Sequence, residues 1–456
     1  MKKYDVIVIG GGSGTTIAQQ SLMHGAKVAL INKPPIGGTC SNFGCIPSKV
    51  LIYPADKIIE AKNAKKLGVD IEIKNADFKS IMKRMRMQRK ERQNHQKEGI
   101  NDIPDFDYYE GKTSFVDNYI LKINDEKIKG KKIFIASGAR ALIPPIEGID
   151  EVDYLTNVSL LELREKPDSL IIIGGGYIAA EFAHFYSAMG TKVTILQRSN
   201  RLVPSEEPEI SDALKKQLEK RMQIYTQTEA VKVSKKGNKI NVVGKNTQTS
   251  EKNTFTAEKL LVAAGRKSNA DLLKIENTNV ETDKGGYVKV NSYLETSVKN
   301  IWAIGDATGR HMFKHVANDE AYIAWNNAFH DKKIEMQYNA VPRAVFSYPQ
   351  IASVGLTQKQ AEEEGHEILV GRNSYYDTAK GEAMLEKDGF AKAIVDKKTG
   401  SILGFHIIGP YAPMIIQEVV TIMAIGGQVG HIGQGMHIHP ALPELIPRAL
   451  SNLKEV

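Results

Sequence analysis

At 456 residues, with 42% hydrophobic and 25% charged residues, the chain has the composition of a globular protein of two to four domains with sizeable cores. Two cysteines in that length exclude a secreted disulfide scaffold, and no apolar run approaches the ~18 residues of a membrane span. The net charge of +8 admits anionic small molecules, but no RNA- or DNA-binding signature accompanies it, so neither nucleic acid nor membrane is expected as a partner.

The N-terminus, Met1-Lys2-Lys3-Tyr4, is basic, but the apolar run behind it ends at glycines too soon for a signal-peptide core. With so few cysteines, the expected location is a reducing compartment, the cytoplasm. Val6-Ile7-Val8-Ile9 is a short β-branched run of the buried parallel-strand kind. It enters Gly10-Gly11-Gly12-Ser13-Gly14-Thr15, then a helix through Gln20 and Met23, then a second strand within Gly25–Lys33. This order is a dinucleotide fingerprint: glycines let the backbone approach a pyrophosphate, and the helix N-terminus faces its charge. Two positions depart from it. Thr15 stands where a third glycine would allow close helix–strand packing, and Asn32 stands where an acid would meet a ribose. An amide can still bond two hydroxyls, without charge assistance.

Gly37–Lys49 comes next and holds both cysteines, Cys40 and Cys45. On a regular helix a five-residue step turns about 500°, leaving the two side chains about 140° apart. Neighbouring sulfurs therefore require a distorted first turn. Gly37, Gly38 and Gly44 permit tight backbone there, and Pro47 is disfavoured deep inside a helix. A static staple closing so short a loop would stabilise little. The expected reading is a pair that cycles between disulfide and dithiol.

The densest basic run, Lys83–Arg92, reads as a helix with Met82, Met85 and arginine stems on one face and a solvated basic surface on the other. Lys132-Ile133-Phe134-Ile135-Ala136 is a strand leading into a tight turn at Ser137-Gly138-Ala139-Arg140, and Pro144-Pro145 marks a domain junction. The fingerprint then returns at 170–198. Leu170–Ile173 is the strand, Gly174-Gly175-Gly176-Tyr177-Ile178-Ala179 the turn, and Gly190–Arg198 the second strand. Gly25-Ala26-Lys27-Val28 and Gly190-Thr191-Lys192-Val193 match, so the units are internal copies and the chain is expected to bind two dinucleotides. The second copy ends at Gln197, where NAD enzymes favour an acid, followed by Arg198, Ser199 and Arg201. Arginine suits a 2′-phosphate, so NADPH is expected ahead of NADH. Leu260–Asn269 closes this unit and Thr296–Ala307 follows. Ala344-Val345-Phe346 and Ile351–Gly355 suggest a mixed sheet in the last part of the chain, and His437-Ile438-His439-Pro440-Ala441-Leu442-Pro443-Glu444 stands near its end.

Taken in order, these segments resemble the FAD-dependent pyridine nucleotide-disulfide oxidoreductases over essentially the whole chain. Gly37–Lys49 resembles the family's redox motif and Ile301–Asp306 its second FAD motif. His437–Glu444 resembles its C-terminal motif, with Ala441 in place of the usual Thr. The resemblance implies an α/β fold with two Rossmann-like dinucleotide-binding domains, for FAD and NAD(P)H, and a C-terminal α+β dimerisation domain. It implies FAD-binding segments at 1–147 and 271–339, an NAD(P)H domain at 148–270 and a dimerisation domain at 340–456. The first fingerprint would take FAD and the second the nicotinamide nucleotide. Cofactor contacts are expected at Gly10, Gly12, Ser13, Gly14, Asn32, Lys33, Gly38, Thr39, Lys49, Thr113, Ser137, Gly138, Gly174, Gly176, Tyr177, Ile178, Glu181, Gln197, Arg198, Ser199, Gly265, Gly305, Asp306 and Ala317, with Asp306 on the ribityl chain.

By the same resemblance, Cys45 would lie against the flavin and Cys40 would be the interchange thiol. Lys49 and Glu181 would form the ion pair beside the flavin's reactive nitrogen, and Tyr177 would gate the nicotinamide. In a homodimer, His439 of the partner subunit would complete the site as acid–base, oriented by Glu444, with His437 the lesser candidate. Electrons would pass from NADPH through FAD and the Cys40–Cys45 pair to a small-molecule disulfide; no resident metal is expected. Two alternatives stand. A mercuric-type metal-ion reductase would need metal delivery that a chain with no cysteine after Cys45 does not provide. A dihydrolipoamide dehydrogenase fits the redox motif but not Gln197-Arg198 or Tyr177.

Overall fold

The computed structural model describes residues 1–100 and 103–456. The helices used below are α1 (Gly14–Met23), α2 (Gly38–Phe43), α3 (Cys45–Asn63), α4 (Phe78–Glu98), α5 (Tyr177–Ala188), α6 (Pro208–Leu218) and α7 (Lys314–Phe329). The chain divides into two compact units. The first comprises Met1–Ser48, Lys83–Leu142 and Gly265–Gln337; the second comprises Lys49–Met82, Ile143–Ala264 and Tyr338–Val456.

In the first unit the strand Lys2–Ile9 lies between Val28–Asn32 and Glu126–Ile135, parallel to both, with Val6 opposite Val28 and Lys132. Phe106–Glu110 extends the sheet beyond Val28–Asn32, and Ile301–Ala303 adds a parallel strand to Glu126–Ile135. Val6, Ile7 and Val8 are wholly buried, which is why their stretch reads as an unbroken β-branched run and not as an alternation. The strand can enter α1 only through glycine. Gly10 has φ +119°, and a Cβ there would stand 2.1 Å from the carbonyl oxygen of Ala136.

The second unit repeats this construction. Ser169–Ile173 lies parallel to Lys192–Leu196 and to Lys259–Val262. Gly174, with φ +110°, meets the carbonyl oxygen of Ala263 as Gly10 meets that of Ala136; its Cβ would stand 2.3 Å away. The two copies thus share the backbone contact that turns strand into helix. Thr228–Lys236, Lys239–Asn246 and Lys252–Ala257 add an antiparallel wing.

The C-terminal sheet runs Pro342–Val345, Ile351–Gly355, Ile402–Ile408, Phe390–Asp396, Ile368–Ser374 and Lys454–Glu455. The mixed sheet expected from sequence is corrected here: every neighbouring pair is antiparallel. A tight turn explains the central pair. Asp396 Oδ1 accepts the N–H groups of Lys398 and Thr399 at 3.1 and 2.8 Å and reverses the chain into Ile402–Ile408. Phe405, Ile407, Val419, Leu445 and Ile446 form the core on one face.

His406 is wholly enclosed in this unit. Its Nε2 donates to the carbonyl of Leu356 at 2.9 Å, and Nδ1 is buried with no hydrogen-bond partner among the described residues. Burial, reinforced by the Arg343 charge, pushes the ring's pKa down to about 4. In the unfolded chain the ring titrates near ~6.5, so between these values the unfolded state binds more protons. The stability that neutral His406 contributes is full above pH ~6.5 and is lost as pH falls towards 4. A His406→Gln variant should therefore lose less stability than the parent over this window in urea denaturation. Parallel stability–pH curves would contradict this origin.

Candidate active site

The two helices of the redox segment meet at Gly44, whose φ of −139° and ψ of −118° belong to neither. Cys40 lies within α2 and Cys45 is the first residue of α3. A Cβ at Gly44 would stand 3.1 Å from the carbonyl oxygen of Thr39 and 3.5 Å from Cys40 Cα. The backbone leading into Cys45 therefore folds against the backbone carrying Cys40. The distorted turn expected from the spacing is a break between two helices. Cys40 is half-buried and Cys45 exposed. Cys45 stands at the N-terminus of a 19-residue helix, where unpaired N–H groups favour a thiolate. Pro47 falls in that helix's first turn, where its missing N–H costs no helical bond.

The same segment approaches the first fingerprint. Gly38 has φ +65°, and its Cβ would stand 2.8 Å from Gly12 Cα, so the two stretches meet backbone to backbone. Ser13 makes no side-chain cap to α1; the N–H groups of Thr15 and Thr16 bond the carbonyls of Gly12 and Ser13 at 3.4 and 3.1 Å, and the positive end of the helix faces the glycine turn. Lys314 Nζ reaches Ser13 Oγ at 2.8 Å, and Ser13 Oγ donates to Asn318 Oδ1 at 3.0 Å. Asp306 is held above the ordinary carboxylate pKa by burial, with Arg266 Nε at 3.3 Å. Gly305 donates to Glu320 at 2.6 Å, and a Cβ on it would press on Ala317 at 3.2 Å. Ser137 accepts from Asn269 Nδ2 at 2.9 Å, and Gly138 turns with φ +70°. A side-chain-free cradle at Gly12, an uncapped helix start and a half-buried Asp306 fit FAD. Asn32 is engaged in its own turn: Oδ1 accepts from Gly11 and Nδ2 donates to the Lys33 carbonyl, both at 2.9 Å. Thr113 lies in an antiparallel hairpin with its hydroxyl on Lys122, and Lys33 is exposed.

In the second unit Gly176 is the N-cap of α5, and a Cβ on it would meet nothing within 4 Å. Tyr177, the first residue of α5, is 40% exposed, and Ile178 follows it. Gln197 Nε2 donates to Ser199 Oγ at 2.6 Å and to the Arg201 carbonyl at 3.1 Å, so Gln197 and Ser199 hold the turn. Arg198 is exposed, with Glu229 at 3.8 Å, whereas Arg201 is bonded to Asp212 at 3.0 Å. Gly265, in the first unit, turns with φ +128° and accepts from Leu142.

Lys49 of α3 and Glu181 of α5 form the expected pair, with Nζ 2.9 and 2.8 Å from the carboxylate oxygens. Glu181 is buried and also accepts the N–H of Phe346 at 3.0 Å; Lys49 Nζ lies 4.4 Å from the centre of the Phe346 ring. Near the C-terminus, His439 Nδ1 is 2.9 Å from Glu444 Oε1, and Glu444 Oε2 accepts the N–H of Ala441 at 3.0 Å. The bonded His439 holds the Glu444 carboxyl below its ordinary pKa. His437 is taken by Glu418 at 2.9 Å.

Two features escaped sequence reasoning. Asp56 of α3 and His184 of α5 bond at 2.7 Å, a second link between the two helices that hold Lys49 and Glu181. Arg221 must donate to His184 Nδ1, at 2.9 Å, so His184 Nε2 donates to Asp56. The spacings Lys49 to Asp56 and Glu181 to His184, two turns and one turn, were the available signal. The other is α4. Its Met82 and Met85 are buried as expected, but Arg89 reaches the Asn42 carbonyl of the redox segment at 3.5 Å, beside Gln93, which donates to the Asn42 side chain at 2.6 Å, so part of the basic run is not a solvated face.

A Lys49→Met substitution leaves the buried Glu181 carboxylate without its cation and should cost roughly 3 kcal/mol in denaturant unfolding, more than Glu181→Gln. A Lys49→Met variant as stable as the parent would contradict the pairing.

Residues 4–321 match the family model described as pyridine nucleotide-disulphide oxidoreductase, and residues 341–450 match that family's dimerisation domain. Mycothione reductase from Mycobacterium tuberculosis is 33% identical over 466 aligned positions, with all of both chains covered. Mercuric reductase from Staphylococcus aureus is 35% identical, with 93% of this chain and 77% of the relative covered. Among solved structures, a Cu(II) complex of the HOCl-induced flavoprotein disulfide reductase RclA from Escherichia coli superposes with a TM-score of 0.88 at 30% identity, covering 99% of each chain. Among the described residues no helix is long and apolar enough to cross a membrane.

Proposed function

The chain belongs to the pyridine nucleotide-disulphide oxidoreductase family, whose members use FAD and NAD(P)H, and on that premise we propose that it reduces a small-molecule disulfide with electrons from NADPH through the Cys40–Cys45 pair. The observation that carries this reading is the helix break at Gly44, which brings the chain's two cysteines together next to a dinucleotide cradle. FAD, when bound, supplies a two-electron relay between nicotinamide and disulfide.

The side chains take the following parts. Cys40 attacks one sulfur of the substrate disulfide as a thiolate and expels the first substrate thiol; Cys45 then attacks Cys40 Sγ in the mixed disulfide, expels the second thiol and re-forms the pair. The Lys49–Glu181 pair fixes α3 against α5 and sets a positive charge one turn after Cys45. Tyr177, exposed at the start of α5, covers the nicotinamide position, and Arg198 takes the 2′-phosphate. The partner subunit's His439 serves as acid–base. Glu444 holds Nδ1–H, which presents Nε2 to the thiol proton. Exposed Met414, Ile425, Met436 and Ile438 support a homodimer built on this region, and the match to a dimerisation domain agrees. Thiol chemistry driven by NADPH suits the cytoplasm.

Mercuric reductase is a relative, and the structural neighbour is recorded as a Cu(II) complex, so a metal-ion acceptor is the second reading. With no cysteine after Cys45, the pair itself would meet the metal. The two readings separate in anaerobic NADPH oxidation with oxidised glutathione, mycothione, coenzyme A disulfide, lipoamide, Hg²⁺ and Cu²⁺ as acceptors. One disulfide well ahead of the metals supports the first; metals ahead, with metal reduced, support the second.

Cys40→Ser and Cys45→Ser should each abolish disulfide turnover while leaving slow NADPH oxidation by oxygen. Retained disulfide turnover in either overturns the mechanism. Arg198→Ala should raise KM for NADPH about tenfold or more, the loss of one charge-assisted contact, and leave KM for NADH nearly unchanged. Equal effects would remove Arg198 from phosphate recognition.

A further inference from the structure

On α4, Arg89, Arg92, Gln93 and Gln96 fall at i, i+3, i+4 and i+7 and continue the stripe begun by Met82 and Met85. Every other member of that polar stretch touches the redox segment. Gln93 Nε2 donates to Asn42 Oδ1 at 2.6 Å, and Arg89 reaches the Asn42 carbonyl at 3.5 Å, with its guanidinium 5.8 Å from the centre of the Phe43 ring. Gln96 Oε1 lies 2.3 Å from where a Cβ on Gly37 would stand. Asn42, 1% exposed, is the clasp: its Nδ2 donates to the carbonyls of Ile36 and Gly38 at 2.7 and 2.9 Å.

Arg92 sits within this stripe. Its Nε and one terminal nitrogen are buried and have no hydrogen-bond partner among the described residues. Burial lowers the pKa of the guanidinium, and attraction to Glu91 and to a Cys40 thiolate opposes that. A buried guanidinium with idle donors is costly unless an anion faces it. The anion that the proposed chemistry generates beside this stripe is the Cys40 thiolate.

We propose that Arg92 is a positioning residue for the interchange thiol: its partly buried guanidinium stabilises Cys40 as a thiolate once the pair is reduced, so that Cys40 attacks disulfides near neutral pH. The proposal rests on the reading of Cys40 given above. The only bond broken is S–H, and the proton passes to water or to the acid–base histidine. Another charge that bears on Cys40 is Lys314 at the start of α7, and Arg89 and Glu91 of α4 bear on Arg92 itself. Lys314 interacts with both sulfurs but is bonded to Ser13, whereas Nε and one terminal nitrogen of Arg92 have no hydrogen-bond partner among the described residues.

The test uses the full-length, FAD-loaded protein, reduced anaerobically with dithiothreitol and freed of it. Cys40 alkylation by iodoacetamide is followed by peptide mass spectrometry from pH 5 to 9. In Arg92→Met and Arg92→Gln the midpoint should rise by about one pH unit, which slows alkylation about tenfold well below the midpoint. Arg92→Lys, which restores the charge, should recover most of the shift. Equal flavin content and an unchanged thermal midpoint show which variants are folded, and Arg92→Gln serves where Arg92→Met does not fold. An unmoved alkylation midpoint in a folded, uncharged variant overturns the proposal. A raised KM for the disulfide with that midpoint unmoved also overturns it, and makes Arg92 a substrate contact instead. Disulfide turnover surviving in Cys40→Ser removes the underlying assignment of Cys40, whatever the alkylation shows.

Discussion

The constraint on which the site depends is the break at Gly44. An unbroken helix would set Cys40 and Cys45 on different sides, and no arrangement of neighbouring side chains could bring the sulfurs together. With the break, Cys45 begins a helix, and Lys49 falls one turn later, where it bonds the buried Glu181. A Cβ on Gly44 would crowd the Thr39 carbonyl at 3.1 Å, and one on Gly38 would collide with Gly12 Cα at 2.8 Å. The two close approaches fix the cysteine pair to the first fingerprint, and Asn42 ties the same segment to α4.

The duplicated sheet shows how one construction serves two nucleotides. Gly10 and Gly174 make the same contact with a carbonyl at the end of a neighbouring strand, so the strand-to-helix turn is common to both copies. The difference lies at the end of the second strand. Asn32 spends its amide on Gly11 and Lys33, within its own turn. Gln197 likewise braces its turn, and the next residue, Arg198, stays exposed.

What was legible in the sequence was local or motif-bound. The β-branched runs, the glycine turns and the five-residue cysteine spacing each carry their own physical reason, and all appear as expected. The pairing of Lys49 with Glu181 and of His439 with Glu444 followed from family resemblance, since nothing local joins residues 132 positions apart. What was not legible is long-range. Lys392 and Glu207, each about 2% exposed by side chain, pair at 2.7 Å across 185 positions of sequence. The antiparallel course of the C-terminal sheet was missed because buried strands give the same apolar runs in either direction. The basic run on α4 read as a solvated face because charge dominates its composition. Its helical phase, continued from Met82 and Met85, leaves Arg89 and Arg92 half-buried.

The central claim is that reducing equivalents from NADPH reach the Cys40–Cys45 pair. Its most direct test is the number of thiols per chain that react with a chromogenic disulfide reagent in denaturant, before and after anaerobic addition of one equivalent of NADPH to the oxidised, FAD-loaded protein. The account predicts a rise of two thiols per chain, with none in Cys45→Ser. An unchanged thiol count in the parent protein, with NADPH consumed, would contradict it and place the electrons elsewhere.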